Sequence, residues 1–398
     1  MKKVIQLLIC CLGAFLVITN SFSQKGESTE SIQELDSKLE EIFKSSDLTG
    51  ISIVVVNDKE VFYNNSFGYA DVATQKPYTN HTVHNIGSVS KTFIAAAIMK
   101  AQELGKLRLD DPINQYLPFQ VIHPKFPDVP ITLRHLAQHT SGISDDNAYL
   151  RAYVLENPID DYSYLPDDFA KNLKVIAQNE DLSYAMFFEN VLSKNGKWYS
   201  NKNFTKKAPG KRYNYSNIGA ALAAYVVENA TGVPFEQFTK QYIFDPLGME
   251  KTAWKINDNN REEFASRYVT KNTMVPAYHL ITSSDGGLIT NTDEFGEYLK
   301  EMIRGRNGEG AILSKASYEE MFTRTEIGKE SSGIFWGVNE KGTLNHSGSD
   351  PGVVSIAAIN PSRNVGVFLM TNISADEDKQ LMGAVLEIWT TLKHHRWE

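Results

Sequence analysis

The chain is nearly without cysteine: Cys10 and Cys11 are the only two among 398 residues. It also lacks an excess of positive charge. Forty lysines and arginines face 48 aspartates and glutamates, giving a net charge of −8. A general grip on nucleic-acid phosphates needs a basic face, so nucleic acid is excluded as a partner. Glycine and proline, at 26 and 14 residues, show no collagen-like or low-complexity bias. The 42% of apolar residues excludes a disordered chain. Val4 to Ile18 is apolar apart from Gln6. At about 15 residues this run falls short of the roughly 20 that a membrane-spanning helix needs.

That run has a different reading. Lys2 and Lys3 precede it, and Ser21 and Ser23 follow at −3 and −1 from a cut before Gln24. Basic start, apolar middle and small residues at the cut are the layout of a secretory signal peptide over residues 1–23. Ile9 is too large to precede a lipidated cysteine. Cleavage removes both cysteines and two lysines, leaving 38 basic against 48 acidic residues and a net charge of about −10. The mature chain then has no disulfide, thiolate metal site or cysteine nucleophile. It is expected to be exported, to periplasm or medium, with no membrane span.

Further absences narrow the chemistry. There is no Gly-x-Ser-x-Gly elbow, no Walker A loop and no Gly-x-Gly-x-x-Gly. His135 and His139 stand four apart, but Leu136 occupies the place of a zinc protease's glutamate. The pair reads as a structural helix end, and no metal or organic cofactor is expected.

The patterning predicts where the elements lie. Ile32, Leu35, Leu39 and Ile42 recur at helical spacing over 31–43. Gly50–Val56 is a β-branched strand, with a hairpin partner over 60–69. Helices follow at 92–103 and 218–228, and the stretch 144–180, rich in Asp, Tyr and Pro, reads as a long surface segment. Strands return at 334–339, 352–360 and Val365–Thr371, the last two joined by the Asn-Pro-Ser-Arg-Asn turn at 360–364, before a closing helix at 376–393. This predicts an α/β (α+β) fold. One antiparallel sheet is assembled from 24–85 plus 276–398 and flanked by N- and C-terminal helices. A mostly helical domain at 86–275 is inserted between its halves.

Within that frame stands the only Ser-x-x-Lys of the chain, Ser88-Val89-Ser90-Lys91, at the start of the 92–103 helix. Residues three apart share a helix face, so Lys91 can reach the Ser88 hydroxyl. A serine is a poor nucleophile until a base takes its proton. A lysine serves as that base only if burial or neighbouring cations lower its pKa. The helix start adds free N–H groups where an oxyanion would form. By itself the tetrapeptide is a weak signal.

Its context resembles the serine β-lactamase and penicillin-binding-protein superfamily, in its class C β-lactamase-like branch. His84-Asn85-Ile86-Gly87-Ser88-Val89-Ser90-Lys91-Thr92-Phe93 is similar to the first element of that family, and His346-Ser347-Gly348 to the third. Leu136-Ala137-Gln138-His139-Thr140-Ser141-Gly142 and Ser284-Asp285-Gly286-Gly287-Leu288 are similar to two further signatures. The second element, Tyr-x-Asn, occurs as Tyr215-Ser216-Asn217, Tyr199-Ser200-Asn201 and Tyr63-Asn64-Asn65. Tyr63 precedes the nucleophile, and Tyr199 sits in a lysine-rich loop. Tyr215 follows Pro209-Gly210 and leads into an apolar helix, so Tyr215 is chosen.

The resemblance implies a β-lactamase/transpeptidase-like fold and a Ser88 acyl-enzyme. Lys91 and Tyr215 would share the proton traffic, and which is the formal base stays open. Asn217 would bond Lys91 or the substrate amide. The N–H groups of Ser88 and Ser349 would form the oxyanion hole. His346, Ser347 and Gly348 would line the substrate strand, with substrate backbone passing close at Gly348. The pattern departs at His346, which stands where β-lactamases and carboxypeptidases have a lysine for a substrate carboxylate. A histidine is mostly neutral near pH 7 and favours substrates less dependent on a carboxylate. The expected activity is that of a secreted esterase or peptidase acting on a small molecule or peptide, with peptidoglycan-derived substrates included. The alternatives are a penicillin-binding D,D-carboxypeptidase, a class C-like β-lactamase, and a non-catalytic binding protein on the same fold.

Overall fold

The computed structural model describes residues 30–397. The leader expected at 1–23 lies outside the described residues. Among those described, no helix is long and apolar enough to cross a membrane.

Seven consecutive buried residues, Gly50–Val56, form strand β1. Burial on both faces explains why its sequence is continuously apolar instead of alternating. Val61–Asp71 (β2) pairs with it as a hairpin, and Lys76–Pro77 (β3) closes that edge. The remaining strands come from the far end of the chain: Thr325–Ile327 (β4), Glu330–Ser332 (β5), Gly337–Val338 (β6), Leu344–Asp350 (β7), Val353–Asn360 (β8) and Val365–Thr371 (β9). The order across the sheet is β4-β5-β6-β7-β8-β9-β1-β2-β3, antiparallel throughout. β1 lies between β9 and β2, with Ile53 opposite Leu369 on one side and Asn65 on the other. The antiparallel sheet built from both ends of the sequence is therefore present.

Period-two alternation divides the strand side chains between two cores. Ile51, Ile53 and Val55 meet Leu35, Leu39 and Ile42 of helix α1 (Ile32–Lys44) on one face, together with Val385, Ile388 and Leu392 of the C-terminal helix. Each such side chain contributes about 1.5–3 kcal/mol by burial. Ser31 starts α1 with a capping box to Glu34. Val54, Val56, Phe368 and Met370 face the other core, which holds the apolar helices of the middle segment.

Four further helices matter here: α2 (Lys91–Glu103), α3 (Asn217–Thr231), α4 (Thr292–Asn307) and α5 (Lys379–His394). α2 and α3 are buried nearly all round and pack on each other, as expected of helices without a polar face. α4 lies on β1 and β9, and Phe295 stacks on Phe368 at 3.8 Å.

Two expectations are corrected. The strand expected at 334–339 is confined to Gly337–Val338. Ile334, Phe335 and Trp336 are each within 1% of full burial, but as an irregular plug in which Phe335 has φ +50° and donates its N–H to Ala137. Core burial, not sheet pairing, accounts for that apolar run. The stretch 144–180 is more than surface: Asp145, Ala148, Ala152 and Tyr153 are buried, Tyr153–Leu155 pairs with Tyr278–Leu280, and Asp167–Ile176 is a helix. Tyr149 and Tyr153 turn inward and hydrogen-bond buried carboxylates, so helical or strand periodicity does not register them.

Candidate active site

Ser88 sits in a single 3₁₀ turn, Gly87–Ser90, which runs directly into α2. The turn is forced by its neighbour β7. Gly87 has φ +53°, and a Cβ there would lie 2.7 Å from the Ser349 nitrogen. A Cβ on Gly348 would lie 2.2 Å from the Ile86 oxygen and 2.9 Å from the Ser88 nitrogen. Neither position admits a side chain. The space at Gly348, expected to admit substrate backbone, is needed by the Gly87–Ser90 turn itself. The same two contacts bring the main-chain nitrogens of Ser88 and Ser349 close to each other. Ser88 and Ser349 are both partly exposed, so this spot is open to a substrate.

Lys91 opens α2 and is completely buried. An ammonium has three donors, and all three are engaged. Nζ donates to Ser88 Oγ at 2.9 Å, to Asn217 Oδ1 at 2.7 Å and to the Asp285 carbonyl at 2.5 Å. Burial disfavours the charged form and lowers the Lys91 pKa to about 8, with Asp285, Asp145 and Asp350 opposing the drop. The Tyr215 ring lies under the ammonium, 5.1 Å from Nζ to the ring centre. Burial drives its hydroxyl well above 10, while a hydrogen bond with Ser88 works the other way.

Tyr215 and Asn217 flank Ser216, the N-cap of α3, whose hydroxyl accepts the Gly219 N–H. This cap is braced from elsewhere in the chain. The Asp145 carboxylate accepts from Ser216 Oγ (2.8 Å), the Asn217 N–H (2.6 Å) and the Ile218 N–H (3.2 Å). His139 stacks on Tyr215 with centroids 4.2 Å apart, and its Nδ1 accepts the Ser216 N–H. The histidine of the 136–142 signature thus holds the tyrosine in place. His135, its partner in the candidate metal pair, instead accepts the Thr132 N–H at the start of its own short helix.

His346 lies on β7, on the same face as Gly348, and is partly exposed. Burial and the nearby Lys91 charge lower its pKa to about 3, and Nδ1 is engaged with the Ser347 carbonyl. The ring is neutral at physiological pH. Ser347 points to the opposite face of β7, as the pleat requires. Tyr199 stands apart from this cluster, in ring contact with Phe204. Tyr63 lies on β2 and donates to Asp36.

Three buried carboxyls were not among the expected site residues: Asp145, Asp285 and Asp350. Asp145 follows the 136–142 signature by three residues, and Asp285 stands inside the 284–288 signature. Asp145→Ala leaves three donors without their acceptor, and is expected to lower stability at pH 7 by roughly 2–4 kcal/mol. A urea titration of the two proteins checks this.

With the geometry in place, comparison with known proteins places the chain. The sequence profile of the Beta-lactamase family matches residues 35–387. The chain belongs to that family. Among curated relatives, Protein flp of Staphylococcus aureus (strain MRSA252) is 22% identical over 357 residues. The match takes in 88% of this chain and 64% of that protein, so the chain spans rather less than two thirds of that relative's length. The octameric penicillin-binding protein homologue from Pyrococcus abyssi superposes with a TM-score of 0.69 at 26% identity, covering 92% of this chain and 78% of that one. A class C β-lactamase superposes at 0.67 with 19% identity, over 92% and 99% of the two chains. The β-lactamase/transpeptidase-like fold of this family member is thereby established.

Proposed function

We propose that the protein is an exported serine hydrolase that cleaves an ester, amide or peptide bond through an acyl-enzyme on Ser88. The observation that carries this is the 2.9 Å hydrogen bond from a fully buried lysine to an accessible serine hydroxyl. That serine's main-chain nitrogen lies beside the nitrogen of Ser349.

Lys91 is the base in this reading. Its pKa near 8 leaves roughly a tenth of it neutral at pH 7, whereas Tyr215, well above 10, keeps its proton. Neutral Lys91 takes the Ser88 proton as Oγ attacks the carbonyl carbon. The Ser88 and Ser349 N–H groups receive the negative charge on the carbonyl oxygen, a contribution of about 3 kcal/mol per donor. Tyr215, hydrogen-bonded to Ser88, gives its proton to the leaving group and receives in exchange the one that Lys91 took, which leaves Lys91 neutral again. Water then attacks the acyl carbonyl, losing a proton to Lys91, and that proton returns to Ser88 Oγ as the acyl bond breaks.

The neutral His346 spends its one N–H on the Ser347 carbonyl, which leaves Nε2 as an acceptor and gives a substrate carboxylate neither a charge nor a hydrogen bond. This supports esters, amides or peptides as substrates ahead of carboxylate-anchored ones. The likeness to the Pyrococcus abyssi penicillin-binding protein homologue favours a second reading, a penicillin-binding peptidase. Intact mass after mixing with p-nitrophenyl acetate or a chromogenic cephalosporin separates the two. Fast ester turnover with little cephalosporin reaction supports the esterase or peptidase. A long-lived cephalosporin adduct supports the penicillin-binding peptidase, and rapid cephalosporin hydrolysis a β-lactamase. A folded protein acylated by neither probe would leave two readings, a binding protein on this fold or a hydrolase whose substrate is narrower than these probes.

The pH dependence has a definite sign. Because Lys91 must be neutral to accept a proton, single-turnover acylation is expected to rise with pH through a midpoint near 8. Stopped-flow p-nitrophenol release, corrected with Ser88→Ala, measures it. A rate that is flat between pH 6 and 9 removes Lys91 from the role of base.

A further inference from the structure

The two oxyanion donors belong to segments far apart in the sequence, and no covalent link sets their separation. Asn85 ends the short strand His84–Asn85, three residues before Ser88. Asp350 ends β7, one residue after Ser349. Their side chains meet across 265 positions: Asn85 Nδ2 donates to Asp350 Oδ2 at 2.9 Å. The far side of each is also engaged. Arg267 Nη1 donates to Asn85 Oδ1 at 3.1 Å, and Tyr153 OH donates to Asp350 Oδ1 at 2.7 Å. Arg267 is held in turn by the Tyr278 carbonyl at 3.3 Å and by the Tyr278 ring, 4.0 Å from the guanidinium carbon.

Asn85, Asp350 and Arg267 are all more than nine-tenths buried. The chain thus buries a guanidinium and a carboxylate without letting them touch, and places a neutral amide between them. A guanidinium only donates and a carboxylate only accepts, so the orientation of the Asn85 amide is fixed from both sides. Burying two charges in this way is costly unless every member is satisfied. A direct Arg–Asp pair would satisfy both charges and would leave Asn85 out. What the amide adds is a fixed tie between the approach to Ser88 and the end of β7.

We propose that Asn85, bridging Arg267 to Asp350, is a positioning residue that sets the separation of the Ser88 and Ser349 N–H donors for the acyl-transfer transition state. This rests on the serine hydrolase reading above. Asn85 and Asp350 make no contact with Ser88 or Lys91, but the Asp350 charge raises the Lys91 pKa, so each rate is taken from the high-pH plateau of that protein's pH profile, where Lys91 is neutral. Their effect falls on the rate of acylation and leaves substrate affinity alone.

The test is an exchange of the two side chains. Asn85→Asp alone sets two carboxylates against each other. The double variant Asn85→Asp/Asp350→Asn restores the chain from Arg267 to Tyr153: the carboxylate at 85 accepts from Arg267 and from the amide at 350, which accepts in turn from Tyr153. Single-turnover acylation by p-nitrophenyl acetate is read well below the melting temperature of each protein, with circular dichroism as the check on folding. Asn85→Asp is expected to lose at least about 30-fold in the saturating rate, with the half-saturation concentration changed less than about three-fold. The double variant is expected to return to within about five-fold of wild type. If Asn85→Asp does not fold, Asp350→Asn stands in for it. That variant leaves two donors competing for one oxygen and is expected to lose about ten-fold in rate alone.

Three results overturn the proposal: a single variant as fast as wild type, a loss confined to half-saturation, or a folded double variant no faster than the single. If wild type itself shows no Ser88-dependent acylation, the hydrolase reading falls and the proposal falls with it. That outcome is separable, because it appears before any variant at 85 or 350 is compared.

Discussion

Ser88→Ala is expected to abolish the acyl adduct and to lower ester turnover by on the order of 10⁴-fold or more, as loss of a nucleophile does in hydrolases that work through a serine. The substitution is small. Ser88 lies in a turn whose shape is set by the close approach of Gly87 and Gly348 to the opposing strand and not by its own side chain. The hydroxyl's partners are Lys91 Nζ and Tyr215, and Lys91 keeps Asn217 and the Asp285 carbonyl when it goes. The melting temperature should therefore move little while the chemistry disappears. Intact mass after incubation with p-nitrophenyl acetate reads the first, and a thermal scan the second. A variant that still gains an acyl mass locates the nucleophile elsewhere.

Lys91→Met carries the second large effect. Turnover should fall by about 10²- to 10⁴-fold, the range lost with a general base. Stability should respond in a pH-dependent way that identifies the cause. The lysine has a pKa of 10.5 when free and about 8 in the folded protein. Folding thus disfavours its ammonium, and this cost is fully present below pH 8. It is relieved as pH rises from 8 towards 10.5 and is gone above that. Over this window wild type should gain roughly 3 kcal/mol on Lys91→Met, from 2.5 pKa units at about 1.36 kcal/mol each. Urea midpoints of both proteins at pH 7 and pH 10 check the sign. A gap that does not change with pH would mean that Lys91 is not perturbed by its burial.

Local spacing made part of this site legible. Ser88 and Lys91 are legible because the three-residue interval stands at a helix start and within flanking motifs that resemble a known family. Tyr215 could be preferred to Tyr199 because an apolar helix follows it, and that helix is α3. The sheet could be assembled from both ends because β1, β8 and β9 are strongly apolar. The bracing residues were harder to see. Asp145 reaches the Tyr215–Asn217 segment across 72 positions to the Asn217 N–H, and Asn85 reaches Asp350 across 265. No periodicity records such contacts, because a polar side chain that serves one distant partner leaves no repeating pattern. For the same reason Tyr149 and Tyr153 read as surface residues. Gly348 was noticed, but what its missing side chain makes room for depends on a turn from the other end of the fold.

The position of β1 has a consequence for how the molecule is made. Its two neighbours differ in age on a chain emerging from synthesis: β2 follows within a few residues, whereas β9 comes more than 300 positions later, as the Thr371 hydroxyl's bond to the Gly50 carbonyl across 321 positions illustrates. Until β9 arrives, one side of β1 is an open edge of apolar residues, the kind of strand that recruits other chains. Closing the sheet requires pairing at very high sequence separation, which slows folding and prolongs exposure of that edge. Ser349 comes into place beside Ser88 in the same late event. A newly synthesised chain thus passes through a long interval in which its most aggregation-prone strand is bare and Ser88 still lacks Ser349 at its side.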